Sequence, residues 1–372
     1  MEKGTSKNPV VSVTWAEDTD NQKILELSPR CYQSGMITMY PDRSPVFNRL
    51  HKLIDVESYH SLAVVGDRAV GLLGTIHETM YFKDQPIRMA YFMDFKVDPD
   101  FRRGLTAYRM VKHTIEKEVS DGTRLGLATL LKNNEAPMAF TKGRIGFPAS
   151  LYLGDNRVFS CVPVRMLKPD QAYTIEVPTE ADIPELVDLY NRFYSTYRLA
   201  PRMTEELFHH YTRNIKGLSL SEFRVARREG KVLAVMALWD EEPYRRYWVT
   251  RSNIRVKLIS ALVKVLSLFT RVPEPIKINS PLKQLSVVLY AHDQSTAALG
   301  ALFRDANNRH VGGHYSLIQV QIHEDDPANA SLKGLTGISI FSEIHLFTDT
   351  HQLAREIQNE PGVVHLEFPN YI

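Results

Sequence analysis

Along this chain, segments in which every second residue is apolar alternate with segments in which apolar residues recur every three to four residues. The first spacing predicts strands and the second predicts helices. The segment Val13–Asp20 reads as a short strand followed by an acidic turn, and it leads into an amphipathic helix. The segment Ile175–Asp182 shows the same order in the second half of the chain. Asp20 and Asp182 each stand where the first turn of a helix has unpaired backbone N–H groups, a place that favours an acidic side chain. The pattern therefore predicts two related segments.

A second pair of segments repeats this likeness between the two halves. Ser61–Leu73 and Phe223–Val235 each predict a β-hairpin with a glycine in its turn. The two hairpins are separated by the same number of residues as the two strand–turn–helix segments. Agreement in type, order and offset indicates a duplicated α/β unit. We expect one domain over residues 1–168 and a second over residues 169–372.

The repeat breaks in the second half, where a block at about 244–281 has no counterpart and is predicted as an inserted helical segment. The block contains the most apolar stretch of the chain, Ile254–Phe269. This stretch is shorter than the roughly 20 residues that span a bilayer, and it carries Arg and Lys. It is either a basic amphipathic helix at a membrane or protein surface, or a helix packed between domains. We expect no membrane span.

Composition narrows the class of protein further. The 372 residues include 45 Lys and Arg against 43 Asp and Glu, a net charge of +2, which disfavours a nucleic-acid-binding protein. Cys31 and Cys161 are too few for a disulfide scaffold and indicate a reducing compartment, most simply the cytoplasm. The polar segment Met1–Pro9 lacks the apolar core of a secretory signal. These features predict a folded cytoplasmic protein.

The strongest chemical signal lies after the strand predicted at Ile87–Val97. A turn that contains Arg102, Arg103 and Gly104 follows this strand and opens a helix. The first turn of a helix presents unpaired backbone N–H groups and the positive end of the helix dipole. These groups form a natural site for a pyrophosphate, and the two arginines add positive charge at the same place.

From Val11 to Val164 the sequence resembles the GCN5-related N-acetyltransferase (GNAT) family. The resemblance lies in an ordered set: a hairpin, a strand that ends in Val-x-Pro, an aromatic residue with Arg-Arg-Gly, a helix, and a later segment from Asn133 to Phe147. It implies an α/β (α+β) fold of two tandem GNAT-like units, each with a mixed, mostly antiparallel central sheet flanked by helices. The second half resembles the family in topology only, because no Arg-x-Gly turn precedes its corresponding helix.

The resemblance also implies an acyl-CoA site. The backbone of Phe95 and Val97 is expected to pair with the pantetheine arm, like an added strand. Asn133 or Asn134 is expected near the pantetheine or the thioester. The pyrophosphate is expected at the turn and at the start of the helix, namely at Arg102, Arg103, Gly104, Leu105, Thr106 and Ala107. The turn departs from the usual family pattern. Arg102 and Ala107 are each one residue away from the positions where the pattern has an Arg and an Ala, and Thr106 precedes Ala107.

The residues that transfer protons are less well defined by the sequence. Asp94 lies in the middle of an apolar strand and is a candidate general base, with Glu78 and His77 as rivals. Many members of the family have a tyrosine, acting as the acid for the departing thiolate, where this chain has Lys142. Tyr152 lies just beyond that position and is the candidate substitute.

These features predict transfer of an acyl group, most simply acetyl, from acetyl-CoA to a primary amine by direct attack. Two alternatives stay open: a non-catalytic, CoA-responsive binding or regulatory protein, and a transferase for a longer acyl group. The acceptor is expected to be a small molecule or a peptide, and a homo-oligomer is left open. His310 and His314 are separated by glycines and have no third partner in the sequence, so no metal is expected.

Overall fold

The computed structural model describes residues 10–33, 35, 37–132, 138–142, 150–254, 273–348 and 350–366. The helices are α1 (Asn21–Leu27), α2 (Arg49–Leu53), α3 (Thr106–Ser120), α4 (Ile183–Tyr194), α5 (Glu205–Asn214), α6 (Thr296–His310) and α7 (His351–Asn359). The strands are β1 (Ser12–Trp15), β2 (Ile37–Asp42), β3 (Ser58–Val65), β4 (Arg68–Phe82), β5 (Gln85–Val97), β6 (Leu125–Leu131), β7 (Leu151–Cys161), β8 (Thr174–Glu176), β9 (Phe223–Arg228), β10 (Lys231–Trp239), β11 (Arg246–Ser252), β12 (Ser280–Pro281), β13 (Gln284–His292), β14 (Leu317–His323) and β15 (Gly337–Phe347).

One large mixed sheet connects both halves of the chain. Its strand order is β1-β3-β4-β5-β6-β15-β7-β14-β13-β10-β9-β8. The order β1-β3-β4-β5-β6 in the first half has the same form as β8-β9-β10-β13-β14 in the second half. The described strands pair antiparallel except for β5 with β6 and β13 with β14, which are parallel. A repeated order of this kind is what the duplication in the sequence predicts.

The two halves exchange their last strands. β15, from the end of the second half, lies between β6 and β7. β7, from the end of the first half, pairs with β14 of the second half. The domain boundary at residues 168 and 169 stays a prediction, and the large sheet continues across it. The apolar core also crosses this boundary, because Met80 and Leu127 pack in one cluster with Ile344 and Ile357.

The block at about 244–281 begins and ends in strands rather than in a helix. β11 pairs with β12 and also with β2 of the first half, in a small three-stranded sheet. Aromatic and β-branched residues in β11 favour a strand there. Apart from Ile254, the apolar stretch Ile254–Phe269 that was predicted as a helix lies outside the described residues. Among the described helices, none is both long and apolar enough to cross a bilayer.

Candidate acyl-CoA site

β5 and β6 separate part-way along their length and form a fork. The two strands are partners where Met89–Phe92 of β5 lies beside Leu125–Ala128 of β6. On its other edge β6 pairs with β15 from Gly126 to Leu131, while β5 continues beyond Phe92 to Val97 beside β4. The edge of β5 that faces the fork is therefore open to an extended ligand, which would bind there as an added strand.

A β-bulge interrupts this open edge at Asp94. Its φ of 56° lies in the left-handed region that few residues other than glycine adopt, and the register between β4 and β5 shifts nearby. Phe95 and Val97 pack toward α3 in a cluster around Met110. Asp94 and Lys96 lie in contact with each other, and Asp94 also contacts Arg43. The bulge thus places two charged side chains beside the fork.

The fork opens into a cavity of about 1080 Å³. This volume is at the upper end of the range for small-molecule sites. One side of the cavity is formed by α3, including Val111 and Ile115, and another by the segment Cys31–Gln33 that follows α1. Most of the lining is apolar. Its charged members are Asp94, Lys96, Arg102, Glu118, Arg124 and Lys132.

Gly126 leaves room for an aromatic ring inside the cavity. A Cβ atom at this position would lie 2.7 Å from Cε2 of Phe92. The ring of Phe92 packs edge-on against Phe347, with 6.1 Å between the ring centroids. Both rings line the cavity, and Phe347 belongs to β15. The exchanged C-terminal strand therefore contributes to the site in the first half.

The turn before α3 is held by Asp98, which is 1% exposed. Its carboxylate accepts hydrogen bonds from Arg30 and Arg68, each at 2.7 Å, and from the backbone N–H of Asp100. Burial acts to raise the pKa of Asp98, but these hydrogen bonds outweigh it and leave the pKa below its ordinary value. α3 begins at Thr106, so the free N–H groups of its first turn lie directly after this fixed turn.

We expect Asp98→Asn to lower the free energy of unfolding by about 2 kcal/mol at pH 7, because it weakens two charge-assisted hydrogen bonds to partly exposed arginines. The pKa of Asp98 is lower in the folded chain than in the unfolded chain. Its contribution is therefore present above about pH 4 and is lost as the pH falls through the folded-state pKa. Urea midpoints of both proteins at pH 7 and pH 3.5 test this. If the difference in urea midpoint between the wild type and Asp98→Asn is as large at pH 3.5 as at pH 7, the ionic explanation is wrong.

The structure brings part of the predicted CoA-binding set to the cavity. Its lining includes four of those residues, namely Phe95, Val97, Arg102 and Ala107. Arg103, Gly104 and Leu105 are exposed on the turn, and Thr106 is buried at the start of the helix. Nε of Arg102 donates a hydrogen bond to the carbonyl oxygen of Val97 at 3.0 Å, at the edge predicted to pair with pantetheine. Asn133 and Asn134 lie outside the described residues. The binding roles of all these residues stay predictions.

Asp94, the predicted general base, is held between two cations. Its carboxylate contacts Arg43 and lies 2.9 Å from Nζ of Lys96, and its side chain is 7% exposed. A carboxylate that neutralises two cations is a weak proton acceptor, because protonation would weaken both contacts. The catalytic role of Asp94 stays a prediction, but its ion pairs indicate a structural role as well.

The other two predicted catalytic residues are absent from the described lining of the cavity. Burial raises the pKa of Glu78 to about 8, so its carboxyl holds a proton more readily than an exposed one. Tyr152 lies on β7 and is 51% exposed. Burial of its hydroxyl and a hydrogen bond with Asp155 hold the pKa of Tyr152 above its ordinary value. The roles of Glu78 and Tyr152 as base and acid stay predictions.

The rival base His77 forms a buried pair with Glu118. Nε2 of His77 lies 3.0 Å from Oε2 of Glu118. Burial raises the pKa of Glu118 to about 7 and lowers the pKa of His77. Glu118 lines the cavity, although the sequence analysis did not single it out. The available signal was a charged residue at helical spacing from Met110 and Thr114, on the buried face of α3.

Sequence reasoning also missed Lys96 and Arg43. Lys96 follows Asp94 by two residues in an apolar strand, and this charged pair was a readable signal. Arg43 gives no such signal, because it follows β2 and reaches Asp94 through the tertiary fold. The described residues contain no group of three His, Cys, Asp or Glu side chains placed to hold a metal ion.

The corresponding fork in the second half, between β13 and β14, is filled by protein side chains. β13 has a bulge at Leu289, where φ is 51°, so it matches the bulge at Asp94. The hydroxyl of Tyr190 on α4 donates a hydrogen bond to the carbonyl oxygen of Leu289 at 2.6 Å. Tyr190, Leu289 and Tyr290 are all buried in the largest apolar cluster. The core thus occupies the place that the cavity takes in the first half.

No protein-family model matches the chain, and no curated protein matches it. Solved structures of Saccharomyces cerevisiae N-myristoyltransferase do match it. One with bound myristoyl-CoA has a TM-score of 0.60 and 14% identity, over 92% of this chain and 81% of that chain. A second with bound myristoyl-CoA has a TM-score of 0.58 and 13% identity, over 92% and 85%. A third, with myristoyl-CoA and inhibitors, has a TM-score of 0.58 and 14% identity, over 92% and 82%.

These comparisons confirm the predicted fold class. The chain has the mixed α/β fold of tandem GNAT-like units that is found in N-myristoyltransferase structures, with a large mixed sheet flanked by helices. At 13–14% identity the similarity is one of fold. Within that fold, the structure places an open strand edge, a bulge, a large apolar cavity and an arginine-bearing helix start together in the first half.

Proposed function

We propose that this protein is an acyl-CoA-dependent N-acyltransferase whose donor carries an acyl chain longer than acetyl. The observation that supports this most directly is the cavity of about 1080 Å³, which extends from the open edge of β5 along α3. The pyrophosphate would bind at the turn before α3, where helix N–H groups and two exposed arginines meet. The pantetheine arm would follow the open edge of β5 toward the bulge at Asp94.

The lining favours a long acyl chain over acetyl. Val111, Ile115, Phe92 and Leu125 offer far more apolar surface than a two-carbon group can cover. Each additional methylene group that leaves water contributes about 0.8 kcal/mol. The solved structures with this fold contain myristoyl-CoA, which makes that donor the first to test.

The reaction supported by this arrangement is direct attack of an amine on the thioester carbon. The protein would hold the thioester at the bulge and orient it, which removes the entropic cost of bringing the reactants together. The acceptor amine, on a peptide or a small molecule, would approach from the side where Asp94 and Lys96 lie. In the first half this side is bounded by Tyr32 and Gln33, which are polar lining residues of the cavity.

Ligand binding and turnover test this proposal in sequence. Thermal shifts should be measured with myristoyl-CoA, acetyl-CoA, CoA and, as a control, NAD. A ligand at about 100 times its dissociation constant stabilises the fold by roughly 2.7 kcal/mol. We expect myristoyl-CoA to give the largest shift and to release free thiol when amines are added. Binding without thiol release across a panel of peptides and small amines would favour a CoA-responsive regulatory protein, and no shift with any CoA would overturn the site.

A substitution within the lining tests the chain-length preference. Ile115→Trp fills part of the cavity beside α3. We expect affinity for myristoyl-CoA to fall at least about 10-fold, because the lost apolar contacts are worth more than 1.4 kcal/mol, while affinity for acetyl-CoA changes little. Isothermal titration with both donors measures this.

The matched control is Glu116→Trp, which adds the same side chain at the next residue on the exposed face of α3. This variant should bind both donors like the wild type. If Ile115→Trp loses affinity for myristoyl-CoA and for acetyl-CoA equally, the acyl chain does not bind beside Ile115.

A further inference from the structure

Lys96 is a charged side chain of the cavity to which the sequence assigns no role. It lies on the open edge of β5, two residues after the bulge, and its side chain is 10% exposed. Its Nζ lies 2.9 Å from Oδ1 of Asp94. The hydrogen bond fixes the end of a flexible side chain at the point where the two strands separate, and the residue remains part of the cavity lining.

The charged groups around Lys96 come from several elements. Asp94 on β5 is shared with Arg43, which follows β2. Cys31 follows α1, His60 lies on β3, and Arg245 precedes β11 and pairs with Glu241. Burial keeps the pKa of His60 low, so it adds no charge at neutral pH. Burial, followed by repulsion from Arg43, holds the pKa of Lys96 well below its ordinary value.

The geometry points to Lys96 as the proton carrier of the acyl transfer. This inference rests on the proposed function. The acceptor nitrogen attacks the thioester carbon, a C–N bond forms, and the nitrogen becomes positively charged. In the molecules in which Lys96 has released its own proton to solvent, its Nζ takes a proton from that nitrogen. The C–S bond then breaks with its electron pair on sulfur, and the Lys96 ammonium gives the proton to the thiolate. The products are an amide and free CoA thiol, and no oxidant or metal is required.

The other titratable groups near the cavity fit this task less well. Asp94 already neutralises two cations. Glu118 is bound to His77 near the C-terminal end of α3, away from the helix start. Burial raises the pKa of the Cys31 thiol, which favours its neutral form. Lys96 is next to the bulge, on the strand edge where the thioester is expected.

Two variants separate proton transfer from a structural role. Lys96→Arg keeps a positive charge beside Asp94 but cannot release a proton at neutral pH, because a guanidinium group stays protonated there. Lys96→Met removes both the charge and the proton and leaves Asp94 with Arg43. We expect both variants to lower kcat, measured at saturating myristoyl-CoA, by about 100-fold. The kcat of the wild type should rise with pH as Lys96 loses its proton, and the pH–rate profiles of both variants should lack that rise.

The proton affinity of Lys96 can be tested by chemical labelling, which needs no acceptor amine. Wild-type protein is labelled with trace acetic anhydride across pH 6–11, and the label on Lys96 is compared with that on the exposed Lys52 by mass spectrometry. We expect the labelling of Lys96 to rise at a lower pH than that of Lys52. Bound myristoyl-CoA should protect Lys96 and leave Lys52 reactive.

The outcomes distinguish this inference from the proposed function. If Lys96→Arg has the kcat of the wild type, Lys96 is not the proton carrier. The same holds if Lys96 and Lys52 have the same pH midpoint of labelling. Neither result contradicts the binding of acyl-CoA. Bound myristoyl-CoA that fails to protect Lys96 would also overturn the proton-carrier role. Failure of every CoA ligand to bind would overturn the proposed function, and the inference would fall with it.

Discussion

Replacing Gly104 with tryptophan is expected to weaken acyl-CoA binding by roughly 1,000-fold and to leave the fold intact. Gly104 is exposed on the turn before α3, and a Cβ there would meet only the carbonyl oxygen of Phe101, at 3.8 Å. The folded chain therefore has room for a side chain. A bound pyrophosphate does not, because an indole would cover the N–H groups at the helix start. Loss of three charge-assisted hydrogen bonds, each worth about 1.5 kcal/mol, gives this magnitude.

The measurement is a titration with myristoyl-CoA and with CoA, beside a thermal melt without ligand. Glu116→Trp serves again as the control, since it adds a tryptophan to the exposed face of the same helix. The melting temperatures of all three proteins should agree. If Gly104→Trp binds either ligand with wild-type affinity, the pyrophosphate does not lie at this turn.

Replacing Asp94 with alanine is expected to lower the free energy of unfolding by about 3–5 kcal/mol. The carboxylate lies between Arg43 and Lys96, and all three side chains are nearly buried. Its removal leaves two cations in an environment of low polarity, and breaking a buried ion pair on one side carries a penalty of this size. Lys96→Met should lower the free energy of unfolding by less, because Asp94 keeps Arg43 as its partner. Urea midpoints measure both effects.

The double variant Asp94→Ala/Lys96→Met tests whether unpaired charge causes the loss. It should be more stable than Asp94→Ala alone, because one of the two unpaired cations is gone. The deficit of Asp94→Ala should also shrink as the pH rises, since the lowered pKa of Lys96 lets it lose its charge. Asp67→Ala, at a fully exposed turn, is the control and should change little. A double variant no more stable than the single one would point to lost packing instead.

The sequence predicted the elements of the first half because their signals are local. A Gly-Asp pair marks the turn between β3 and β4, and Asp98-Pro99 marks the end of β5. The arginine-bearing turn and the start of α3 follow where the spacing predicts them. Local signals also explain why Phe95, Val97, Arg102 and Ala107 line one cavity, because residues on one strand edge and the next helix turn lie close together; their roles in binding stay predictions.

The charged cluster and the size of the cavity were beyond the reach of the sequence. Arg43 contacts Asp94 only because the folded chain places β2 beside the fork. In that position β2 also pairs with β11 from the second half. The cavity volume depends on Phe347, which arrives on the exchanged strand β15. Acetyl was the simplest expectation from the family resemblance. Our proposal of a longer acyl chain rests on the apolar cavity, which forms only in the folded chain.

Periodicity, turn residues and order along the chain specify local structure, so the sequence predicted the duplicated α/β unit, the fold class and the place of the arginine turn. Packing between distant segments sets which strands complete each half of the sheet, which fork stays open and which charges meet there. Each of these depends on contacts between residues far apart in the chain, such as Tyr190 with Leu289 in the closed fork and Arg43 with Asp94 in the open one. Such contacts arise from the packing of whole elements, and they leave no periodic trace in the sequence.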